Sequence, residues 1–288
     1  MAMSHKRSGT VPVIIKFLKE KVINLLDWCR NHYECLKNVN RFYRFYGLTL
    51  NPMINQYGTV FQYNSSGTLR EYLKNNQLKW QEKVDILYYI THDLATVHKA
   101  GLYHGFVTTY DILMNGKWAY LTGLDFSKKI NTEIIKDQKI FGVFPFASPE
   151  VLRNNSRIQP ADIYSLGIVM SEIASGDMPY SHIIERIESQ NSHLFAISIC
   201  NGLRPKIKDS TPKAYSKIMK ACWDPDPSKR PDIFKLKFIF TNWRQNPPYN
   251  ITEQFELADS IENNATDQNI TKKLFENENN DYDIDFDI

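Results

Sequence analysis

Few residues of this 288-residue chain are placed to do chemistry, and the gaps between them matter as much as the residues. Lys16 closes the apolar, β-branched run Val13-Ile14-Ile15-Lys16, where an ammonium group could offset anionic charge. Asp111 and Asp125 carry carboxylates, hard oxygen donors suited to a small divalent cation. The residues beside them offer nothing of the kind. Phe106 follows His104-Gly105, and a phenyl ring cannot accept a proton; Gly123 precedes Leu124-Asp125 and has no ligand to give. Later in the chain, Glu150, Asp162 and Arg230 carry charges suited to holding structure rather than to chemistry.

The order of these segments carries a resemblance. His104-Gly105-Phe106-Val107-Thr108-Thr109-Tyr110-Asp111-Ile112-Leu113 resembles the catalytic loop H-R-D-L-x-x-x-N-I-L of protein kinases, with Arg, Asp and Asn replaced. Phe146-Ala147-Ser148-Pro149-Glu150 is similar to the A-P-E end of the activation segment. Asp162-Ile163-Tyr164-Ser165-Leu166-Gly167 is similar to the D-x-W/Y-S-x-G helix, and Cys222-Trp223-Asp224 through Ser228-Lys229-Arg230-Pro231 to the C-W-x-x-x-P-x-x-R-P block. Tyr63 through Leu73 resembles the hinge and first C-lobe helix of tyrosine-kinase-like kinases, which puts Phe61 at the gatekeeper position and Tyr63 in the hinge. The resemblance covers about residues 12 to 244 and rests on several motifs in the right order.

What the resemblance implies can be stated residue by residue. Kinases transfer phosphate by positioning and charge neutralisation, through a Lys–Glu pair, two metal ligands and a base. Lys16 takes the place of the phosphate-pairing lysine; the alternative is a solvated strand lysine. Its helix partner falls near Asp27, one carbon shorter than the family's Glu. Phe106 replaces the base, Asp111 the metal-binding Asn, and Gly123 the Mg²⁺-binding Asp, in the ungapped frame of Leu121-Thr122-Gly123-Leu124-Asp125-Phe126-Ser127-Lys128 on L-A-D-F-G-L-S-K. Asp111 either ligates Mg²⁺ or caps the loop. A slipped frame reads Asp125-Phe126-Ser127 as the degenerate D-F-G, leaving Asp125 as fallback ligand. Losing one charged group from a catalytic constellation commonly costs ~10³-fold in rate, and here base and metal ligand are both affected. Glu150 and Arg230 match the family's buried ion pair, and Asp162 the residue that holds the catalytic-loop backbone; these are framework.

The resemblance therefore implies a cytoplasmic, catalytically impaired pseudokinase that works by contacts with protein partners, with no cofactor expected and weak nucleotide binding at most. The alternatives are an active Ser/Thr or Tyr kinase using ATP and Mg²⁺, and a decaying kinase paralogue. The expected fold class is α+β, a bilobal protein-kinase-like fold with a truncated β-rich N-lobe and a mostly helical C-lobe.

Composition is compatible with this: 42% hydrophobic and 13% aromatic residues suit a globular body. Cys29, Cys35, Cys200 and Cys222 show no C-x-x-C pairing or metal spacing, as expected of free thiols in a reducing setting. The longest apolar runs are far short of the roughly 20 residues that span a bilayer, so neither membrane nor nucleic acid is expected as a partner. The formal charge of +3 is uneven: residues 251–288 carry −9, leaving +12 on the body.

The elements that must position these residues can be placed by periodicity. Residues 1–10 are expected to be disordered. The N-lobe, about 11–63, should hold strands over Thr10–Phe17, Phe45–Thr49 and Gly58–Tyr63 and a helix over Lys19–Lys37. Gly9 is the sole glycine before Val11, so the glycine loop of the family is expected to be absent and a sheet edge uncovered. The C-lobe, about 64–245, should hold helices over Leu69–Lys74, Gln81–Ala100, Pro160–Ala174 and Pro231–Trp243, with a hairpin turning at Asn115-Gly116. The aromatics of Phe141–Phe146 are expected either to pack on the central helices or to bind a partner segment. Pro247-Pro248 should end the folded part, and residues 246–288 form an acidic, Asn-rich disordered tail, of which Asp281–Ile288 could dock on the basic body.

Overall fold

A computed structural model describes residues 10–17, 30–31, 33–35, 43–64, 66–105, 107–124, 128–129, 144–184 and 192–278. Three antiparallel strands open the fold: β1 (Val13–Phe17), β2 (Phe45–Asn51) and β3 (Gln56–Gln62), in the order β1-β3-β2. Lys16 pairs with Thr59 and Ile15 with Val60, so alternate residues face opposite sides of the sheet. Gly58 is needed where it stands, because a Cβ there would lie 2.7 Å from Cγ2 of Ile15. β1 is an outer strand, and its Val13, Ile15 and Phe17 remain exposed. Residues 30–31 and 33–35 are helical, in the middle of the helix expected over Lys19–Lys37; the rest of that helix lies outside the described residues, as do residues 1–9.

The helical part begins with α1 (Leu69–Asn75), entered through a capping box in which Thr68 accepts from the Glu71 N–H and Glu71 reaches back to the Thr68 N–H at 2.7 Å. α2 (Trp80–Lys99) follows, then the short strand β4 (Leu102–Tyr103), the hairpin β5 (Ile112–Asn115) and β6 (Trp118–Leu121), and β7 (Lys128–Lys129), which pairs with β4. Asn115 pairs with Trp118, so the two-residue turn is Gly116-Lys117, one residue later than expected; Gly116 takes the positive φ of +59° that such a tight hairpin needs.

α3 (Pro149–Asn154), α4 (Gln159–Ser175), α5 (Ser181–Ile184), α6 (Ser192–Cys200), α7 (Lys213–Cys222) and α8 (Ile233–Gln245) complete the expected helical lobe. α4 is buried from Ala161 to Ala174, as a helix apolar on all sides must be, and carries Pro160 in its first turn. Close approach of α7 depends on Gly167, whose added Cβ would meet Cβ of Cys222 at 2.9 Å. Phe146 is buried, and Ser165 Oγ donates to its carbonyl at 2.8 Å, so this aromatic packs on the central helix. Residues 141–143 lie outside the described residues.

The C-terminal expectation is overturned in part. The chain does not unravel after Pro247-Pro248 but forms α9 (Tyr249–Glu278), with Ile251, Phe255 and Ala258 buried against the body. Spacing of four and three residues puts these on one helical face, enough apolar area to order a segment whose average composition is polar. Residues 279–288, with the Asp281–Ile288 stretch, lie outside the described residues. No helix among the described residues is long and apolar enough to cross a membrane.

Candidate functional site

The loop from His104 to Asp111 is held from below by α4. Asp162, buried in the first turn of that helix, accepts the backbone N–H of His104 through Oδ2 and that of Gly105 through Oδ1, both at 2.8 Å. His98 Nε2 donates to the same Oδ2 at 2.8 Å. A carboxylate with three donors satisfies its lone pairs without solvent, which is what permits its burial. His104 Nε2 in turn donates to the Thr122 carbonyl at 2.7 Å and ties the loop to the segment after β6.

A second anchor was not legible in the sequence. Thr109 Oγ1 donates to Glu172 Oε2 at 3.0 Å, and Arg70 Nη1 donates to Glu172 Oε1 at 2.9 Å. Glu172 is fully buried on α4, and burial pushes its carboxyl above the usual carboxylate range against the opposing pull of Arg70 and Thr109. The only sequence signal was a charged residue in an apolar helix. Its partners lie on α1 and in the loop, far apart in the chain.

Asp111 closes the loop. Its Oδ2 accepts from Thr108 Oγ1 at 2.6 Å and its N–H donates to the Thr108 carbonyl at 3.1 Å. The Asp111 carbonyl accepts twice from Thr122, from the N–H at 2.7 Å and from Oγ1 at 2.9 Å. These bonds bring Asp111 against Gly123. A Cβ added to Gly123, which sits at φ +83°, would lie 2.8 Å from Asp111 Oδ1. The carboxylate thus occupies the volume that a side chain at position 123 would need.

Lys16 is exposed on β1, its carbonyl accepting from Thr59 Oγ1 at 3.2 Å. Phe61, half-buried on β3, stacks on Tyr43 at 5.6 Å between ring centroids and tilts against Phe45 at 5.5 Å; Tyr43 also lies 5.9 Å from Tyr120 of the hairpin. The Tyr43 hydroxyl donates to the Gln62 carbonyl, and Tyr63 beyond it is exposed. Aromatic rings therefore fill the space where the sheet meets the hairpin. Phe106, Asp125 and Asp27 lie outside the described residues.

The framework pair is well formed. Arg230 Nη1 and Nη2 donate to the two oxygens of Glu150 at 2.6 and 2.9 Å, Nε donates to the Asp224 carbonyl at 2.9 Å, and Nη1 also reaches the Pro160 carbonyl at 2.8 Å. Its guanidinium lies 5.2 Å from the Tyr164 ring centre.

A three-stranded sheet leading into a helical lobe, with a loop held by Asp162 and a segment anchored by Glu150 and Arg230, is an arrangement that the comparisons assign. Residues 1–240 match the model of the protein tyrosine and serine/threonine kinase family. The chain belongs to this family. It is 30% identical over 199 residues, 68% of its length, to a Dictyostelium discoideum protein named as a probable LIM domain-containing serine/threonine-protein kinase. It is 28% identical over 240 residues, 71% of its length, to an Arabidopsis thaliana protein kinase and PP2C-like domain-containing protein. The matched stretches make up 29% and 36% of those relatives, so the chain corresponds to a part of each.

As a kinase-fold chain it can be asked whether its residues suit the metal that kinases use. They do not. Gly123 supplies no side-chain donor, and Asp111 has one carboxylate oxygen engaged by Thr108 and the other 2.8 Å from where a Cβ of residue 123 would stand. Among the described residues no three His, Cys, Asp or Glu side chains converge on one point.

Proposed function

We propose that this chain is a kinase-fold signalling protein of the tyrosine-kinase-like group that has lost effective phosphotransfer and acts as a pseudokinase in the cytoplasm, through contacts with other proteins. The observation that carries the reading is the packing of Asp111 on Gly123, where a Cβ would stand 2.8 Å from Oδ1. Position 123 thus offers no side-chain donor that could share a cation with the neighbouring Asp111 carboxylate. Phe106 adds to it, since the family's proton acceptor is replaced by a hydrocarbon ring.

What is kept supports the same reading. Asp162, Glu150 and Arg230 make the bonds that anchor the loop and the segment after it, while of the positions that would touch nucleotide Lys16 is kept and others are altered. A fold maintained without its chemistry offers surfaces, and nucleotide binding is at most weak.

The curated relatives bear serine/threonine-kinase names, and this favours a second reading, an active kinase using ATP and Mg²⁺ with Asp125 as its metal ligand. Incubation of the purified chain with labelled ATP, Mg²⁺ and a protein acceptor separates the two. The pseudokinase reading expects no phosphate incorporation above that of a Lys16→Met variant; robust transfer that depends on Lys16 overturns it.

A further inference from the structure

α9 lies beyond the residues that match the family, yet its polar side chains reach the ends of two body helices and, through Lys83, a third. Gln254 Oε1 accepts the N–H of Ala214 at 2.9 Å, in the first turn of α7, whose N-cap is Pro212 and makes no side-chain cap. Asp259 Oδ1 accepts the N–H of Trp80 at 2.9 Å, the first residue of α2, where the N-cap Lys79 likewise makes no side-chain cap bond. Glu262 pairs with Lys83 at 3.1 Å, and Lys83 Nζ donates to the Ala174 carbonyl at 3.1 Å near the end of α4. Helix ends expose N–H and C=O groups that need partners, and the dipole favours an acid at the N-terminal end. Glu82 accepts only the Lys79 N–H at 3.0 Å, so α9 supplies from outside the partners of the Trp80 and Ala214 N–H groups.

The apolar side of the same helix holds the contact shut. Phe255 stacks on Trp80 with ring centres 6.0 Å apart and meets Trp243 edge-on at 5.6 Å, while Ile251 and Ala258 are buried on either side. Burial draws the Lys83 ammonium below its ordinary range, and Glu262 opposes that shift, so the lysine depends on α9 for its charge partner.

One residue of the body sits at the rim of this contact. Ser210 Oγ donates to Glu262 Oε1 at 3.5 Å, and Ser210 is half-buried in the wall of an open cavity of about 610 Å³ that Lys83, Lys208, Ile261 and Glu262 also line. Negative charge added to this hydroxyl would face the Glu262 carboxylate and compete with it for Lys83.

We propose that α9 is a charge-held strap belonging to the folded domain, and that Ser210 is a modification site at which added negative charge releases it. The chemistry is phosphoryl transfer from a nucleoside triphosphate by a separate kinase: the Oγ–P bond forms, the anhydride bond to the γ-phosphorus breaks, the hydroxyl proton passes to that kinase's base, and the nucleoside diphosphate leaves. The proposal stands on the geometry of the helical lobe alone, whether or not this chain transfers phosphate itself.

Amide hydrogen exchange on the full chain tests it, comparing the unaltered protein with S210A, S210E, E262Q and the double variant S210E/E262Q. S210E should lower protection of residues 251–262 and of the Trp80 and Ala214 amides by about tenfold or more, with S210A unaffected and the Arg230–Glu150 region unchanged. Removing the Glu262 charge should restore part of that protection in the double variant, a recovery that a general folding defect would not show. Unchanged protection of α9 in S210E, or no recovery in the double variant, overturns the role of Ser210. Free exchange along residues 251–262 of the unaltered chain, beside protected Trp80 and Ala214 amides, overturns the strap.

Discussion

Arg230 grips Glu150 at two points, 2.6 and 2.9 Å, with the arginine side chain withdrawn completely from solvent. The pair joins the start of α3 to the loop before α8, so it fixes the segment that leads out of the active-site region to the floor of the helical lobe. Removing one member leaves a buried charge without its counterion. Glu150→Ala is expected to lower unfolding stability by about 3–5 kcal/mol, and Arg230→Lys to lose much of the same because a lysine cannot make the two-point contact. Urea denaturation of both variants checks this; a loss under about 1 kcal/mol would show that the pair is dispensable.

Asp162→Asn removes the charge and turns an N–H₂ group toward donors. With His98, His104 and Gly105 all presenting N–H groups to this side chain, at least one donor is left facing another donor. The expected loss is about 2–4 kcal/mol, accompanied by faster exchange of the His104 and Gly105 amides than of amides in α4. Uniform loss across the lobe would point instead to a global role.

Returning the missing ligand should fail. Gly123→Asp places a Cβ against Asp111 Oδ1 and forces a non-glycine residue to φ +83°, a strain of roughly 1–3 kcal/mol. The variant is expected to melt lower than the unaltered chain and to gain no thermal shift from Mg-ATP. A ligand present at 100 times its dissociation constant would raise stability by about 2.7 kcal/mol, so binding would be visible.

Thiol labelling reads the packing directly. Burial pushes Cys35 and Cys222 up to about 12, whereas Cys200 is half-buried near the surface. At pH 8 a thiol of pKa near 12 is thiolate in only about one molecule in ten thousand, a fraction that falls tenfold for each further unit the pH lies below the pKa. Under native conditions at pH 8, iodoacetamide should therefore modify Cys200 well before Cys35 or Cys222, and all three in urea. Peptide mapping of the labelled chain follows the order.

Much of the framework was readable in sequence because its signals are local. The apolar run of α4 starting at Pro160 and the motif that places Asp162 in its first turn announce themselves within a few residues. The hairpin turn slipped by one residue because Asn115-Gly116 and Gly116-Lys117 are both adequate two-residue turns; the pairing of Asn115 with Trp118 chose between them. For Asp111 the sequence left two roles open, metal ligand or loop cap; its carboxylate accepts from Thr108 as a cap would.

The tail was misread for a related reason. Its composition is that of a solvated segment, and composition averages over a helix whose outer faces are polar while Ile251, Phe255 and Ala258 share one side. Whether such a stripe orders a helix depends on having somewhere to dock. Trp80, Trp243 and the N–H groups at the starts of α2 and α7 provide the place.

By itself, then, the sequence determined the family likeness, most of the run of helices and strands, and that Phe106 and Gly123 carry no proton-accepting or metal-binding side chain, since each is written in residue identity and short-range spacing. Only the tertiary structure decided that Asp111 packs into the space beside Gly123, that Glu172 binds the loop to α1, and that α9 belongs to the body. Those are contacts between residues distant along the chain, and their existence depends on how packed helices bring side chains together, which no local pattern encodes.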